Sequence, residues 1–128
     1  MDPYRHGLAL AARGALAEAI DSFERALVRA PDDVRVLFAL GNAARDLDMP
    51  QPAEMFFRRV LRADPARIEA LVNLVNLLRA QGRFDAAYAL LAPALQDNPQ
   101  SHELWLTLGG LHRETGADGD AERCFERV

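Results

Sequence analysis

The chain contains no lysine and only one cysteine among its 128 residues. All 15 basic residues are arginine, which we interpret as a reflection of genomic base composition rather than of function. Cys124 has no second cysteine to pair with, so an intrachain disulfide is excluded and nothing favours an oxidising compartment.

Long apolar runs and an excess of positive charge are also missing. No apolar stretch approaches the roughly 20 residues of a membrane-spanning helix, and the N terminus lacks the pattern of a signal peptide. A formal net charge of -4 disfavours nucleic acid as a partner, because nucleic-acid binding usually requires a basic surface. The expectation is a cytoplasmic chain that neither inserts into a membrane nor binds nucleic acid.

The residue patterns of catalytic and metal sites are missing as well. His6, His102 and His112 have no zinc-ligand spacing, and we predict that His112 is a partly buried core residue. The segment Asp118-Gly119-Asp120 lacks the further ligands of a calcium loop and is predicted to cap the last helix. No phosphate-binding loop, nucleophile elbow or catalytic triad is recognisable. We therefore expect no metal, no cofactor and no enzymatic activity.

A strict repeat is what the sequence does contain. Proline recurs at residues 31, 65 and 99, which are 34 residues apart, and alanine recurs with the same step at residues 19, 53, 87 and 121. Three further columns keep this step in most units, with one exception each: Gly7, Gly41, Val75, Gly109; Phe23, Phe57, Leu91, Phe125; Gly14, Asp48, Gly82, Gly116. A period of this size is typical of stacked supersecondary units.

Each unit is predicted to form two helices and the whole chain to be all-α. Asp64-Pro65 is predicted to cap a helix, whose apolar residues then recur at three-to-four spacing until Gly82 ends it. Gly41 and Ala53 are expected to let the two helices of a pair approach closely, with Phe57 facing the next unit. Pro93 falls inside a second helix, where we expect a local kink.

These columns resemble the tetratricopeptide repeat family. The residues that carry the resemblance are Leu37, Leu40-Gly41, Ala53, Phe57 and Pro65 in the second unit, and Trp105, Leu108-Gly109, Ala121 and Phe125 in the last. The resemblance implies a right-handed superhelical solenoid of about four antiparallel helix-turn-helix units. One domain is expected over residues 1–128, with repeats at approximately 1–33, 34–67, 68–101 and 102–128, the last of them truncated.

The family resemblance also implies a concave groove lined by the first helix of each unit. Such a groove would serve a non-catalytic scaffold that binds a protein, a peptide or a partner helix. Arg45, Arg79 and Arg113 share one column and could bind carboxylates or phosphates. The asparagines of the groove could bind a peptide backbone. Alternatively, Asp46, Glu69, Glu103 and Glu114 could pair with these arginines. The residues predicted for this surface are Arg35, Phe38, Asn42, Arg45, Glu69, Val72, Asn73, Asn76, Arg79, Leu106 and Arg113.

The groove does not match the carboxylate clamp of chaperone-binding family members. That clamp would place its residues at Phe38, Asn42, Asn73, Glu103 and Thr107. The asparagines match, but every basic residue of the clamp is missing.

Two alternative functions remain open at this point. The spacing of Asn73 and Asn76 is similar to repeats attached to protein-glycosylating enzymes. The chain could therefore be the substrate-recruiting segment of a larger, bacterial glycosyl- or sulfo-transferase, with its catalytic domain beyond Val128. The last unit also stops before its second helix is complete, which leaves Phe125, Val128 and the face around Leu111 without cover. A second copy of the chain could cover this uncapped end by self-association.

Overall fold

The computed structural model describes residues 2–128, and this part of the chain forms eight α-helices and no strand. The prediction of an all-α fold of helix-turn-helix units is confirmed. The first helices of the four pairs have 10 to 13 residues, while the second helices of the first three pairs have 14. The helices are α1 (Pro3–Ala12), α2 (Leu16–Arg29), α3 (Val34–Asp46), α4 (Pro50–Ala63), α5 (Ile68–Ala80), α6 (Phe84–Asp97), α7 (His102–Glu114) and α8 (Asp118–Glu126).

The helices group into two compact units, which are unit 1 (Met1–Ala70) and unit 2 (Leu71–Val128). The boundary falls inside α5, two to three residues after its start. In unit 1, α1 packs on α2, α2 on α3 and α3 on α4. In unit 2, α6 packs on α7 and α7 on α8. A single domain over residues 1–128 with the four listed repeat boundaries stays a prediction.

The turn inside each pair is a left-handed C-terminal cap. Four residues in one sequence column have positive φ: 80° at Gly14, 57° at Asp48, 72° at Gly82 and 84° at Gly116. After α5, the Arg83 amide donates to the Leu78 carbonyl at 2.9 Å and the Gly82 amide to the Arg79 carbonyl at 3.0 Å. Glycine reaches this conformation without steric cost, and aspartate is among the few other residues that tolerate it. The predicted end of α5 at Gly82 is thereby confirmed.

The turn between pairs differs from the prediction for Asp64-Pro65. Asp64 is the C-cap of α4, and α5 begins only at Ile68. Proline at 65 lies in the intervening turn, where its missing N–H leaves no helical bond unmade. The true N-cap residues include Asp33 before α3 and Ser101 before α7.

The last helix is also capped differently from the prediction. Its N-cap is Ala117, which makes no side-chain capping bond, and Asp118 and Asp120 lie in the first turn. Carboxylates there still favour the helix through the positive end of its dipole. Helix α6 runs without a break through Pro93, which is exposed, and the expected kink remains a prediction.

Each glycine of the first-helix column lies against a phenylalanine of its own pair. A Cβ placed on Gly41 would meet the ring of Phe57 at 2.5 Å, and Gly7 and Gly109 have the same relation to Phe23 and Phe125. The ring of Phe57, rather than Ala53, is therefore the group that requires glycine at position 41. The expectation that Phe57 fills the space toward the next repeat stays a prediction.

The buried columns form the core within each unit. In unit 1, Phe23 and Leu40 belong to one apolar cluster, and Leu37, Val60 and Ala70 form a second. In unit 2 the fully buried leucines are Leu74, Leu78, Leu91, Leu104 and Leu111. The expectation that the face around Leu111 lacks cover is therefore wrong. Phe125 is half-buried and Val128 is 50% exposed.

Candidate functional site

The predicted arginines of unit 1 are held by nearby acids. Arg35 Nη2 lies 3.0 Å from Asp33 Oδ2, and its guanidinium also lies 4.8 Å from the ring centroid of Tyr4 on α1. Arg45 Nε donates to Asp46 Oδ1 at 3.1 Å on the same helix. Both pairs are solvent-exposed, so water screens them and each can exchange partners.

Asp33 has the best-defined electrostatic environment in unit 1. Its carboxylate accepts from the Arg35 side chain and also caps α3 by accepting from the Arg35 backbone amide at 3.0 Å. The hydrogen bond from the Arg35 side chain, with the capping bond, lowers the pKa of Asp33 below its usual value. Partial burial opposes this effect but does not cancel it.

The apolar candidate of unit 1 packs inward more than predicted. Phe38 is half-buried, with its ring centroid 6.2 Å from that of Phe57. The guanidinium of Arg67 lies 5.8 Å from the Phe38 ring centroid. Glu69, also predicted for the groove surface, is exposed. Only part of the Phe38 ring is thus accessible to a partner.

The polar candidates of unit 2 form a network that joins α5 to α7. Arg79 Nε lies 2.7 Å from Glu114 Oε1, and Arg79 Nη1 donates to Asn76 Oδ1 at 3.4 Å. A Cβ on Gly110 would lie 3.1 Å from Arg79 Nη1, so glycine at 110 lets the guanidinium lie close to α7. The structure therefore brings Asn76 and Arg79 into contact, and it adds Glu114 as a partner of Arg79.

The other candidates of unit 2 separate into exposed and packed groups. Leu106 is 53% exposed on α7, whereas Val72 and Asn73 are half-buried. The guanidinium of Arg113 lies 4.7 Å from the ring centroid of Phe125 on α8. Arg79 and Arg113 thus take different partners, an acid on one side and an aromatic ring on the other.

The alternative that acids pair with the arginines holds for two of the four acids considered. Asp46 pairs with Arg45 and Glu114 with Arg79. Because these ion pairs are exposed, their arginines and acids can bind a ligand by exchanging the present partner for it.

One feature of the surface was not predicted from the sequence. In unit 1 a cleft of about 190 Å³ opens beside Leu8, which is 43% exposed on α1. Asn42 and Asp46 of α3 also line it. The 34-residue step places Leu8 in one column with Asn42, which was the available signal.

Two titratable side chains of the last pair, His112 and Cys124, lie in packed surroundings. The hydroxyl of Tyr88 lies 3.0 Å from His112 Nδ1 and 2.8 Å from Thr115 Oγ1, and His112 is half-buried, which confirms its predicted place in the core. Burial raises the pKa of the Cys124 thiol, so it stays protonated near neutral pH. Residues 2–128 hold no cluster of three or more potential metal-ligating His, Cys, Asp or Glu side chains.

None of the helices in the described range 2–128 has the length and apolar character needed to cross a bilayer.

Comparison with known families identifies the repeat. One tetratricopeptide repeat profile matches residues 44–94 and again residues 78–128, and a second matches residues 4–68. Together with the helix pairs, their glycine–phenylalanine contacts and their left-handed turns, these matches define a helical-repeat protein. The chain belongs to the tetratricopeptide repeat family.

Similar proteins include bacterial and animal sequences. The chain is 37% identical over 106 residues to protein FlbA of Caulobacter vibrioides, covering 81% of this chain and 18% of FlbA. It is 29% identical over 112 residues to human tetratricopeptide repeat protein 7B, covering 88% of this chain and 13% of that protein. The chain thus spans less than a fifth of the length of these relatives.

A crystal structure of MamA shares the fold at a TM-score of 0.86. The two chains are 18% identical, and the match covers 98% of this chain and 73% of MamA. At this identity the likeness concerns the fold alone.

Proposed function

We propose that this chain is a non-catalytic protein-interaction scaffold that binds a peptide or partner helix on the inner columns of its first helices. Family membership supports the coarse role, because tetratricopeptide repeats generally bind protein partners. The finer assignment to the groove residues depends on the side chains themselves.

The observation that favours this surface is the network of Asn76, Arg79 and Glu114 in unit 2. It offers amide, guanidinium and carboxylate groups together, so it can donate to and accept from a peptide backbone or an acidic side chain. Leu106 on α7, 53% exposed, adds an apolar contact in the same unit. A mixture of apolar contact area and exchangeable polar groups suits recognition of a peptide.

The experiment is a displayed-peptide selection against the chain. Peptides selected by the wild type are tested for binding to the double variant Asn76→Ala with Arg79→Ala. We expect binding to weaken about tenfold or more, as for loss of interface hot-spot residues. The matched control is Gln96→Ala with Arg123→Ala, two exposed residues on second helices, which should bind like the wild type.

The groove assignment is wrong if the selected peptides bind the first double variant as well as they bind the wild type. Equal loss in both double variants would instead point to a general effect on folding, which circular dichroism would detect.

A second candidate function is the substrate-recruiting segment of a larger glycosyl- or sulfo-transferase-type enzyme. It is favoured by the small share of FlbA and protein 7B that the chain spans, and by the spacing of Asn73 and Asn76. The natural reading frame beyond the codon for Val128 distinguishes the two: a catalytic domain there supports recruitment, and its absence leaves the scaffold. Self-association through the last pair is tested by light scattering over a concentration series, where a monomer at all concentrations rules it out.

A further inference from the structure

The cleft in unit 1 has apolar walls and a polar rim. Leu8 and Leu16 form walls, Phe23 lies at its inner end, and Ala39 and Ala43 line it from α3. Alanine on α3 keeps the space open, because a larger side chain at either position would project into it. The cleft holds about 190 Å³.

The volume fits one side chain. An apolar cavity of about 150 Å³ is large enough for a benzene molecule, so this cleft admits a leucine, isoleucine or methionine side chain from outside. The Leu8 side chain, 43% exposed, would lose most of its contact with water when the cleft is filled. Burial of apolar surface on both sides would drive the association.

The charge at the rim indicates what should follow the apolar side chain. Asp46 lines the cleft, and its side chain is 49% exposed. Arg45 occupies one carboxylate oxygen at 3.1 Å, but a carboxylate can accept about four hydrogen bonds. The other oxygen can accept from a cationic side chain next to the apolar one.

The cleft lies where α3 of the second pair meets the two helices of the first pair, and the sequence does not repeat its lining in every pair. In the 34-residue columns, later repeats carry Asn42, Asn76 and Gly110 at the position of Leu8. They carry Asn73 and Thr107 at the position of Ala39. Because the later repeats carry polar residues at most of these places, an apolar anchor has its binding site beside Leu8 in unit 1.

We propose that the unit 1 cleft is an anchor subsite that binds one aliphatic side chain of a peptide partner whose neighbouring residue is arginine or lysine. This inference rests on the proposed function and adds the chemistry of the partner. The aliphatic side chain fills the space beside Leu8 and Ala39, and the cation binds Asp46.

The first experiment uses a blocked dipeptide, N-acetyl-leucyl-arginine amide, in an NMR titration of the chain. We expect saturable shifts of the Leu8, Ala39 and Asp46 resonances. N-acetyl-alanyl-arginine amide, which lacks most of the apolar group, should bind about tenfold more weakly or worse. The same loss is expected for N-acetyl-leucyl-glutamate amide, whose charge Asp46 repels. Equal shifts from all three dipeptides, or shifts located elsewhere, would overturn the anchor subsite.

Variants test the cleft independently of the dipeptides. Ala39→Leu fills it, and Leu8→Ser removes an exposed wall without disturbing the core. Both should abolish the leucine-dependent shifts, while Ala9→Leu, an exposed position on α1 that does not line the cleft, should leave them unchanged. Asp46→Asn should remove the preference for arginine but keep that for leucine.

Peptide selection separates failure of the subsite from failure of the scaffold function. Selected peptides that lose binding with Asn76→Ala and Arg79→Ala but not with Ala39→Leu would refute the subsite and leave the groove. The opposite result would support the subsite and refute the groove: the dipeptide binds the cleft, but the selection yields no peptide of greater length.

Discussion

Ser22 occupies a column in which the later repeats carry Phe56, Leu90 and Cys124. It is 1% exposed, and its hydroxyl oxygen has no hydrogen-bond partner among the described residues. A buried hydroxyl without a partner costs about 1–3 kcal/mol of desolvation. The side chain therefore weakens the core where the other repeats strengthen it.

We predict that Ser22→Ala raises the free energy of unfolding by about 1 kcal/mol, because it removes the unpaired hydroxyl at little loss of volume. Chemical denaturation measures this. Ser101→Ala is the matched control with the opposite sign, since Ser101 caps α7 through a bond from the Leu104 amide and its loss should cost about 1 kcal/mol. A destabilised Ser22→Ala variant would show that the hydroxyl has a partner in solution.

Asp33 gives a prediction for pH. Because its pKa is lowered in the folded state, its carboxylate stabilises the fold fully above the unfolded pKa of about 3.9. This stabilisation is lost as the pH falls through the lower, folded pKa. Asp33→Asn keeps the capping oxygen but not the charge, so it should be less stable than wild type at pH 7.

The expected difference in the free energy of unfolding is small, since the Arg35 side chain is 64% exposed and water screens the pair. Denaturation of both proteins at several pH values measures it. The difference should shrink toward zero in acid below the folded pKa. A difference that is constant from pH 7 into acid would contradict the role of the charge.

Single residues also show what the sequence could predict. The cap at Gly82 was predictable because only a few residues accept a positive φ. The role of Asp64 was not, because the Asp-Pro pair fits both a helix start and the turn after a helix. The structure resolves the choice through the bond from the Arg67 amide to the Asp64 carbonyl at 3.2 Å, which closes the turn before α5.

At the scale of helices, the contact between glycine and phenylalanine joins the two members of a pair. Three pairs keep it, whereas the third pair has Val75 and Leu91 at the two corresponding positions, both fully buried. A larger residue on the first helix thus accompanies a smaller one on the second. Val75 and Leu91, the two exceptions in the sequence columns, are best explained together: the larger side chain on one helix compensates for the smaller one on the other.

This explanation predicts strong coupling between positions 41 and 57. Gly41→Val should destabilise the chain by about 3 kcal/mol, because its Cβ would lie 2.5 Å from the Phe57 ring. Adding Phe57→Leu should recover about 1–3 kcal/mol of that loss in a double-mutant cycle. Gly119→Val is the control, since no atom lies within 4 Å of a Cβ there. If the two substitutions changed the free energy of unfolding additively, this explanation of Val75 and Leu91 would be refuted.

The direction of Phe57 could not be predicted from the columns. A 34-residue step reports which residues share an environment, but it does not say which helix supplies that environment. The columns leave open which helix the ring contacts, and the close approach at Gly41 shows its contact with the first helix of its own pair.

At the scale of the whole molecule, helices within the described residues 2–128 differ in the side chains that they bury. Helix α4 has 14 residues and buries Ala53, Phe57 and Val60 completely. Helix α8 has 9 residues and buries only Ala121 and Cys124. Local stability follows the number of buried apolar contacts, so the two helices should open with different free energies.

We predict that backbone amides of α8 exchange with deuterium at least about tenfold faster than those of α4. NMR or mass spectrometry on the intact chain measures both helices in one experiment. Equal protection of α4 and α8 would mean that the chain unfolds only as one cooperative unit.

The candidate surface was predictable as a set of columns but not as a set of contacts. The repeat placed Asn76 and Arg79 on one face, and in the structure Arg79 donates directly to Asn76 and also pairs with Glu114. The repeat could not show that Arg113 lies over Phe125, because a long side chain can contact any of several groups within its reach. Nor could it show the cleft beside Leu8, which depends on how three helices pack.

The contact between Gly41 and Phe57 also favours one order of substitutions when such repeats diverge. A pair of this kind can become a pair like Val75 and Leu91 only by two substitutions. If glycine changes first, the new side chain collides with a buried ring, whereas phenylalanine changing first leaves a small cavity at lower cost. Replacing the phenylalanine of the second helix before the glycine of the first helix therefore costs less stability on the way from one kind of repeat to the other.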